Sequence, residues 1–228
     1  VVVPAEVAGI AGDYLIDPSA PTTLIHETRA QTEGFAAVDL VAAVRIDGLR
    51  IKALPVKVAD LDGRAPGFDT PIAGVIGADV LAGQVVDLDF KPCRVSIQPR
   101  SATRLGGRTL PLVMVGGTPT VRASASDDRR ARSGLFAIDW SSAGLVRLND
   151  RIAALKPPRD ALDPLARNAA PARLRALSVA DALYEEAEAG LIAGLDPALT
   201  GSLGADFWSR WRVRLDMRRG VVVLFPKT

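Results

Sequence analysis

GVIGADVLAGQVVDLDFKPCRVSI, residues 74–97, has a second version in GSLGADFWSRWRVRLDMRRGVVVL, residues 201–224. The two align without a gap at a constant offset of 127 residues, with Gly74/Gly201, Gly77/Gly204, Ala78/Ala205, Asp79/Asp206, Val86/Val213 and Asp89/Asp216 coinciding. A period of about half the chain marks two similar lobes rather than a stack of short units. Upstream, YLIDPSAPTTLI is matched by LFAIDWSSAGLV, which pairs Asp17 with Asp139 at an offset of 122 residues, so the intervening segment is longer in the second copy. Each copy thus carries an apolar strand ending in Asp with a tight turn. An apolar-Gly-x-Asp turn opening a short helix follows later.

The rest of the chain reads as β. Short runs rich in Val, Ile and Leu, such as VVVPAEV, AAVRIDG, LRIKALPVKVAD, LPLVMVGG and VVVLFP, are punctuated by Gly, Pro and Asp. Asp47-Gly48 and Gly116-Gly117, each set between apolar runs, are hairpin-turn signals. Frequent short strands of this kind predict packed β-lobes and not alternating βαβ units.

Composition excludes several functions. The chain has 228 residues, 48% of them hydrophobic, with a formal net charge of +2. A general electrostatic attraction to nucleic acid is not implied. No apolar run is long enough for a membrane span. Cys93 and His26 are each the only residue of their type, which rules out an internal disulfide and a zinc site built on Cys and His. A His-dependent serine or cysteine hydrolase is likewise disfavoured, and His26 is expected at the surface or in a loop. The basic cluster DDRRAR (127–132) reads as a solvated hairpin tip. No cofactor is called for.

Both halves resemble the pepsin/retropepsin superfamily of aspartic proteases, and in particular its bacterial retropepsin-like members. In that family each lobe has hydrophobic-hydrophobic-Asp-Thr/Ser-Gly-Ala/Ser followed by hydrophobic-Gly-x-Asp-x-Leu. The second element stands here as Ile76-Gly77-Ala78-Asp79-Val80-Leu81 and Leu203-Gly204-Ala205-Asp206-Phe207-Trp208. The resemblance covers nearly the whole chain. It implies an all-β, bilobal fold of two pseudo-symmetric lobes with short helices, residues 1–100 forming the first lobe and 101–228 the second. It also implies that Asp17 and Asp139 stand where the catalytic dyad would be. Gly77 and Gly204 are expected beneath the aspartate loops, where a Cβ would collide. Asp79 and Asp206 are expected to cap the short helices as scaffold. With both lobes in one chain, a monomer is expected. The family's exported bacterial members suggest a periplasmic or secreted protein.

Both aspartate loops depart from the family pattern. Pro18 follows Asp17 and supplies neither hydroxyl nor N–H, so the cross-lobe brace cannot form from there. Ser19 stands in place of the loop glycine. Trp140 and Ser141 follow Asp139, and an indole cannot reproduce a hydroxyl brace. A covering hairpin in the first lobe would be abbreviated, tipped near Gln31–Gly34. The longer stretch 149–174 of the second lobe suggests a short helix and a loop. SVADALYEEAEAG (178–190) has a helical cap signal at Ser178 and Asp181, yet the repeat sets it opposite the strand pair LRIKALPVKVAD, and strand is expected to prevail.

The reading these residues support is a pepsin-like fold without proteolysis that binds a peptide or protein segment in the inter-lobe cleft. Trp140, Ser19 and Ser141 are its candidate binding residues. An active endopeptidase using Asp17 and Asp139 is the alternative. Persistence of the two acids as loop caps is a third. Trp208 and Trp211 are expected in core or inter-lobe packing.

Overall fold

A computed structural model of the chain describes residues 1–63, 68, 70–99, 106–126, 130–151 and 172–227. Residues 127–129 of the basic cluster and 152–171 of the expected helix and loop lie outside the described residues.

The first lobe is a closed barrel. Its elements are β1 (Val2–Val7), β2 (Ile10–Ile16), β3 (Leu24–His26), α1 (Glu27–Thr32), β4 (Asp39–Ile46), β5 (Leu49–Ala59) and β6 (Ile72–Ile76). The strand order is β1-β2-β6-β3-β5-β4, with β4 pairing back onto β1. Strand β4 alternates, turning Ala42, Val44 and Ile46 inward, as a half-buried strand should. Strand β6, flanked on both sides, is buried at all five positions. The turns Ala8–Gly9 and Asp47–Gly48 have positive φ throughout, the geometry that lets strand twist continue through a two-residue hairpin.

Helix α2 (Ala78–Leu81), β7 (Val85–Phe90), β8 (Cys93–Gln98) and β9 (Arg108–Pro111) follow. The second lobe contains β10 (Val113–Val115), β11 (Thr118–Ser126), β12 (Ala131–Ile138), β13 (Val146–Asn149), β14 (Ala172–Val179), β15 (Ala182–Ile192) and β16 (Gly201–Leu203). Their sheet runs β10-β11-β12-β16-β13-β15-β14 and closes through a β11–β14 pairing. Helix α3 (Ala205–Trp208), β17 (Trp211–Asp216) and β18 (Val221–Pro226) complete the chain. A third sheet, β8-β7-β17-β18-β9, takes strands from both halves and joins them. Across its β7–β17 seam Arg214 grips Asp87 with two bonds, Nε to Oδ1 at 2.6 Å and Nη2 to Oδ2 at 2.8 Å.

Residues 178–190 are strand: β14 and β15 pair across a turn at Ala180 and Asp181. Ala187 and Ala189 face the core while Glu185 and Glu188 face out, so burial and pairing override the local helical signal. Trp208 is fully buried, donates Nε1–H to the Leu203 carbonyl at 2.7 Å and meets Phe207 edge-on. Such aromatic burial contributes several kcal/mol to a core.

Three local expectations are corrected. His26 ends β3 and is buried, with Nε2 3.2 Å from Asp62 Oδ1, because the strand carries it under α1. Around Gln31–Gly34 there is no hairpin tip; α1 ends there, and residues 33–38 contain no strand. Finally, Asp206 does not cap its helix, whereas Asp79 Oδ1 accepts from the Val80 N–H of α2 at 2.8 Å, as expected. Asp79 also accepts from the Thr23 N–H at 2.8 Å and the Thr23 hydroxyl at 2.7 Å, and Asp206 accepts from the Gly144 N–H at 3.1 Å. They clamp the far ends of the aspartate loops, and scaffold remains their role.

Candidate active site

Asp17 and Asp139 are the first residues beyond β2 and β12. Each strand runs parallel to the strand that precedes a short helix, Ile16 beside Ile76 and Ile138 beside Leu203. Each Asp donates its N–H to the last carbonyl of that neighbour: Asp17 to Ile76 at 3.1 Å and Asp139 to Leu203 at 3.0 Å. The loops then fold back over Gly77 and Gly204. A Cβ on Gly77 would lie 2.7 Å from the Ala20 carbonyl oxygen, and one on Gly204 would lie 2.4 Å from that of Gly144. Both glycines are required by close backbone approach, as their recurrence in the repeat implies.

The two carboxylates are sealed, Asp17 at 0% and Asp139 at 2% exposure. Asp17 Oδ1 accepts from the Ser19 N–H at 2.9 Å. Its Oδ2 accepts from the Ser141 hydroxyl, on the opposite loop, at 2.7 Å. Asp139 Oδ1 accepts from the N–H groups of Ser141 at 3.1 Å and Ser142 at 2.9 Å, and lies 3.2 Å from the Ser141 hydroxyl. Ser141 therefore stands between the two acids. A hydroxyl carries one proton, and the shorter contact gives it to Asp17.

The remaining oxygen of Asp139 is taken by a residue that sequence reasoning missed. Arg147, on β13, places Nη2 2.5 Å from Asp139 Oδ2, and the same nitrogen donates to the Ser142 hydroxyl. The Ser202 hydroxyl is 3.5 Å from that oxygen. Burial by itself would raise the Asp139 pKa, but the Arg147 charge and the bonds from Ser142 and Arg147 outweigh it and hold the carboxyl below its ordinary value. The signal was present: an arginine inside the apolar run LVRL, where the first copy has the apolar Leu24 and Ile25. The carbonyls of Leu24 and Arg147 lie equivalently against Gly74 and Gly201.

Ser19 and Ser141 both belong to the site. Trp140 does not line it. Its side chain is 1% exposed and sits in the hydrophobic core, because the loop turns this position inward, where an indole fills volume. Its Nε1 has no hydrogen-bond partner among the described residues. A cavity of about 340 Å³ opens beside Asp139, lined by Ser19 and Pro21 of the first lobe and by Thr118, Arg147, Leu199 and Ser202 of the second. The described residues hold no cluster of His, Cys, Asp or Glu fit for a metal ion, and no helix long and apolar enough to cross a membrane.

No protein-family model and no curated protein matches this chain. Its structure is similar to the crystal structure of an aspartic proteinase from Irpex lacteus, with a TM-score of 0.56 and 12% identity, over 100% of this chain and 94% of that one. The fold is pepsin-like. Within this pepsin-like frame the two aspartate loops meet, with Ser141 of one loop donating to Asp17 of the other at 2.7 Å. Every oxygen of Asp17 and Asp139 is engaged by protein donors, and a guanidinium forms one of those contacts. Such an arrangement can tie the two loops together across the lobes.

Proposed function

We propose that this chain is a non-catalytic, aspartic-protease-like protein that holds a peptide or protein segment in the cleft between its lobes. The observation that carries the proposal is the Arg147–Asp139 ion pair, 2.5 Å long with the acid 2% exposed. Proteolysis by a carboxylate dyad needs one proton shared over the pair and a water that one carboxylate deprotonates. Arg147 stabilises the ionised Asp139 and occupies the oxygen that would face such a water. Ser141 fills the bridging position with a hydroxyl that cannot leave. Binding in the cleft remains open to a segment that reaches Ser19, Thr118 and Ser202, whose polar groups rim the 340 Å³ cavity.

The test is incubation with a mixed peptide library between roughly pH 3 and 7, the range over which carboxylates titrate, followed by mass spectrometry. No cleavage is expected, together with an upward thermal shift from bound peptides. Cleavage that disappears in Asp17→Asn overturns the non-catalytic half. Absence of any shift overturns the binding half.

One observation favours the alternative of an active endopeptidase using Asp17 and Asp139. The Ser141 hydroxyl joins both acids in one network, 2.7 Å from Asp17 and 3.2 Å from Asp139, so the loops keep the approach that a working dyad requires.

A further inference from the structure

A second concave site lies away from the aspartate loops, on the joining sheet β8-β7-β17-β18-β9. Register fixes its face. Arg94 on β8 and Arg212 on β17 both stand opposite Asp89 on β7, and Phe225 on β18 stands opposite Arg212. Two residues along, Ser96, Asp87 and Arg214 form the next row. The alternate residues Val86, Leu88, Val213 and Leu215 fill the core behind. The face encloses about 760 Å³, more than twice the 340 Å³ beside Asp139.

Its charges do not cancel. Arg214 is bound to Asp87, and Lys227 donates to Asp89 at 2.8 Å. Arg94 and Arg212 have no hydrogen-bond or ion-pair partner among the described residues, and the Arg212 guanidinium rests 5.5 Å above the Phe225 ring, which limits its motion. Asp87 and Asp89 are the two acids of the face, against the four cations Arg94, Arg212, Arg214 and Lys227. Two cationic heads are left over a partly apolar floor.

We propose that this face is a docking site for an acidic, extended segment of a partner protein. Spacing decides between a peptide and a compact anion. Arg94 and Arg212 are two strands apart, about 10 Å at the usual strand separation. A single phosphate-sized ion between them would press against the Asp89 carboxylate. Two carboxylates two residues apart on an extended chain share a face, span roughly 7 Å and straddle Asp89, one on each guanidinium. Phe225, beside Arg212, gives the segment an apolar edge to rest on. Charge pairing of this kind gives orientation and salt sensitivity.

The experiment uses the whole chain and a fluorescein-tagged peptide of valines with two glutamates two positions apart, followed by anisotropy at low salt, beside a control peptide with glutamines in their place. The glutamate peptide is expected to bind. Arg94→Gln and Arg212→Gln are each expected to weaken binding about three- to fivefold, and the pair tenfold or more. Both arginines are exposed, so the variants are expected to melt with the parent, while Asp17→Asn leaves binding unchanged. Equal affinity for the glutamine peptide overturns the proposal. So does unchanged binding by the double variant. Displacement of the peptide by inorganic phosphate, beyond what sodium chloride of equal ionic strength produces, overturns it in favour of a small-anion site.

Discussion

Replacing Arg147 with Met removes the charge but keeps most of the stem volume, and so isolates the ion pair with Asp139. The carboxylate is 2% exposed and the arginine side chain 30%. Breaking a sealed pair by removing one partner costs about 3–5 kcal/mol, because a charge is stranded. With a partly open arginine the lower end applies, and we expect a loss of roughly 2–3 kcal/mol at pH 7. That corresponds to a fall of roughly 5–10 °C in Tm for a chain of this size.

The pH dependence makes the test specific. In the parent, Asp139 titrates below its ordinary value. Its contribution is therefore fully present above the unfolded carboxyl value of about 4 and is lost as pH falls through the lower folded value. In Arg147→Met the charge that opposes burial most is gone while the Ser142 bonds remain, so the Asp139 pKa is expected to rise from its value in the parent. The variant is then penalised at neutral pH and recovers as the pH drops below about 4. The assay is urea denaturation followed by tryptophan fluorescence, since Trp140 and Trp208 are buried. At pH 7 the gap between parent and variant should be wide, and near pH 3.5 it should shrink to about 1 kcal/mol or less. Adding Asp139→Asn to the variant should restore most of the loss at pH 7. An equal gap at both pH values, or no recovery in the double variant, would refute the assignment of Arg147 as the group that keeps Asp139 ionised.

Other substitutions probe the loops around it. Ser141→Ala deletes the hydroxyl that reaches Asp17 at 2.7 Å and Asp139 at 3.2 Å; a loss of about 1–3 kcal/mol is expected by denaturation, with a Ser141→Thr variant retaining more than alanine does. Thr23→Val keeps the shape of a fully buried residue but removes the hydroxyl that bonds Asp79 at 2.7 Å and receives the Gly77 N–H at 3.1 Å. It should cost about 2–3 kcal/mol, read as a lower urea midpoint with an unchanged slope. Gly204→Ala introduces a Cβ 2.4 Å from the Gly144 carbonyl oxygen; because the contact is with backbone, a loss of roughly 3 kcal/mol or more is expected, seen as a lower Tm or insoluble expression.

Much of this architecture was legible because the pepsin-like frame leaves backbone-driven marks. Gly77 and Gly204 admit no Cβ, and the apolar strand before each is buried on both faces, so both reappear in the repeat as readable motifs. The 178–190 segment was legible only through that repeat, since its alanines and glutamates carry a helical preference that strand pairing overrules. The partners of the acids were harder to see. The arginine in the apolar run LVRL marks Arg147 as unusual, but the run does not say that it turns toward Asp139 eight residues earlier. Trp140 was misread because a large aromatic beside an active-site acid suggests a ligand wall, while the loop geometry that turns it into the core is set by β16 and α3, more than 60 residues away. Asp79 makes the expected cap to Val80 and a loop clamp as well, while Asp206 makes only the clamp, because an acid at a short helix start suits both contacts.

The ion pair on the joining sheet has one more consequence. Asp87 and Arg214 are equivalent positions of the repeat and also direct neighbours across the seam, so they sit on the pseudo-twofold axis relating the halves. Two molecules of the first half, meeting through the same strand, would set Asp87 against Asp87, and two of the second would set Arg214 against Arg214. Like charges would then face each other at the centre of symmetry. Only a mixed pairing satisfies both residues, so the covalently linked halves prefer each other, and swapping identical halves between molecules is penalised on the axis itself.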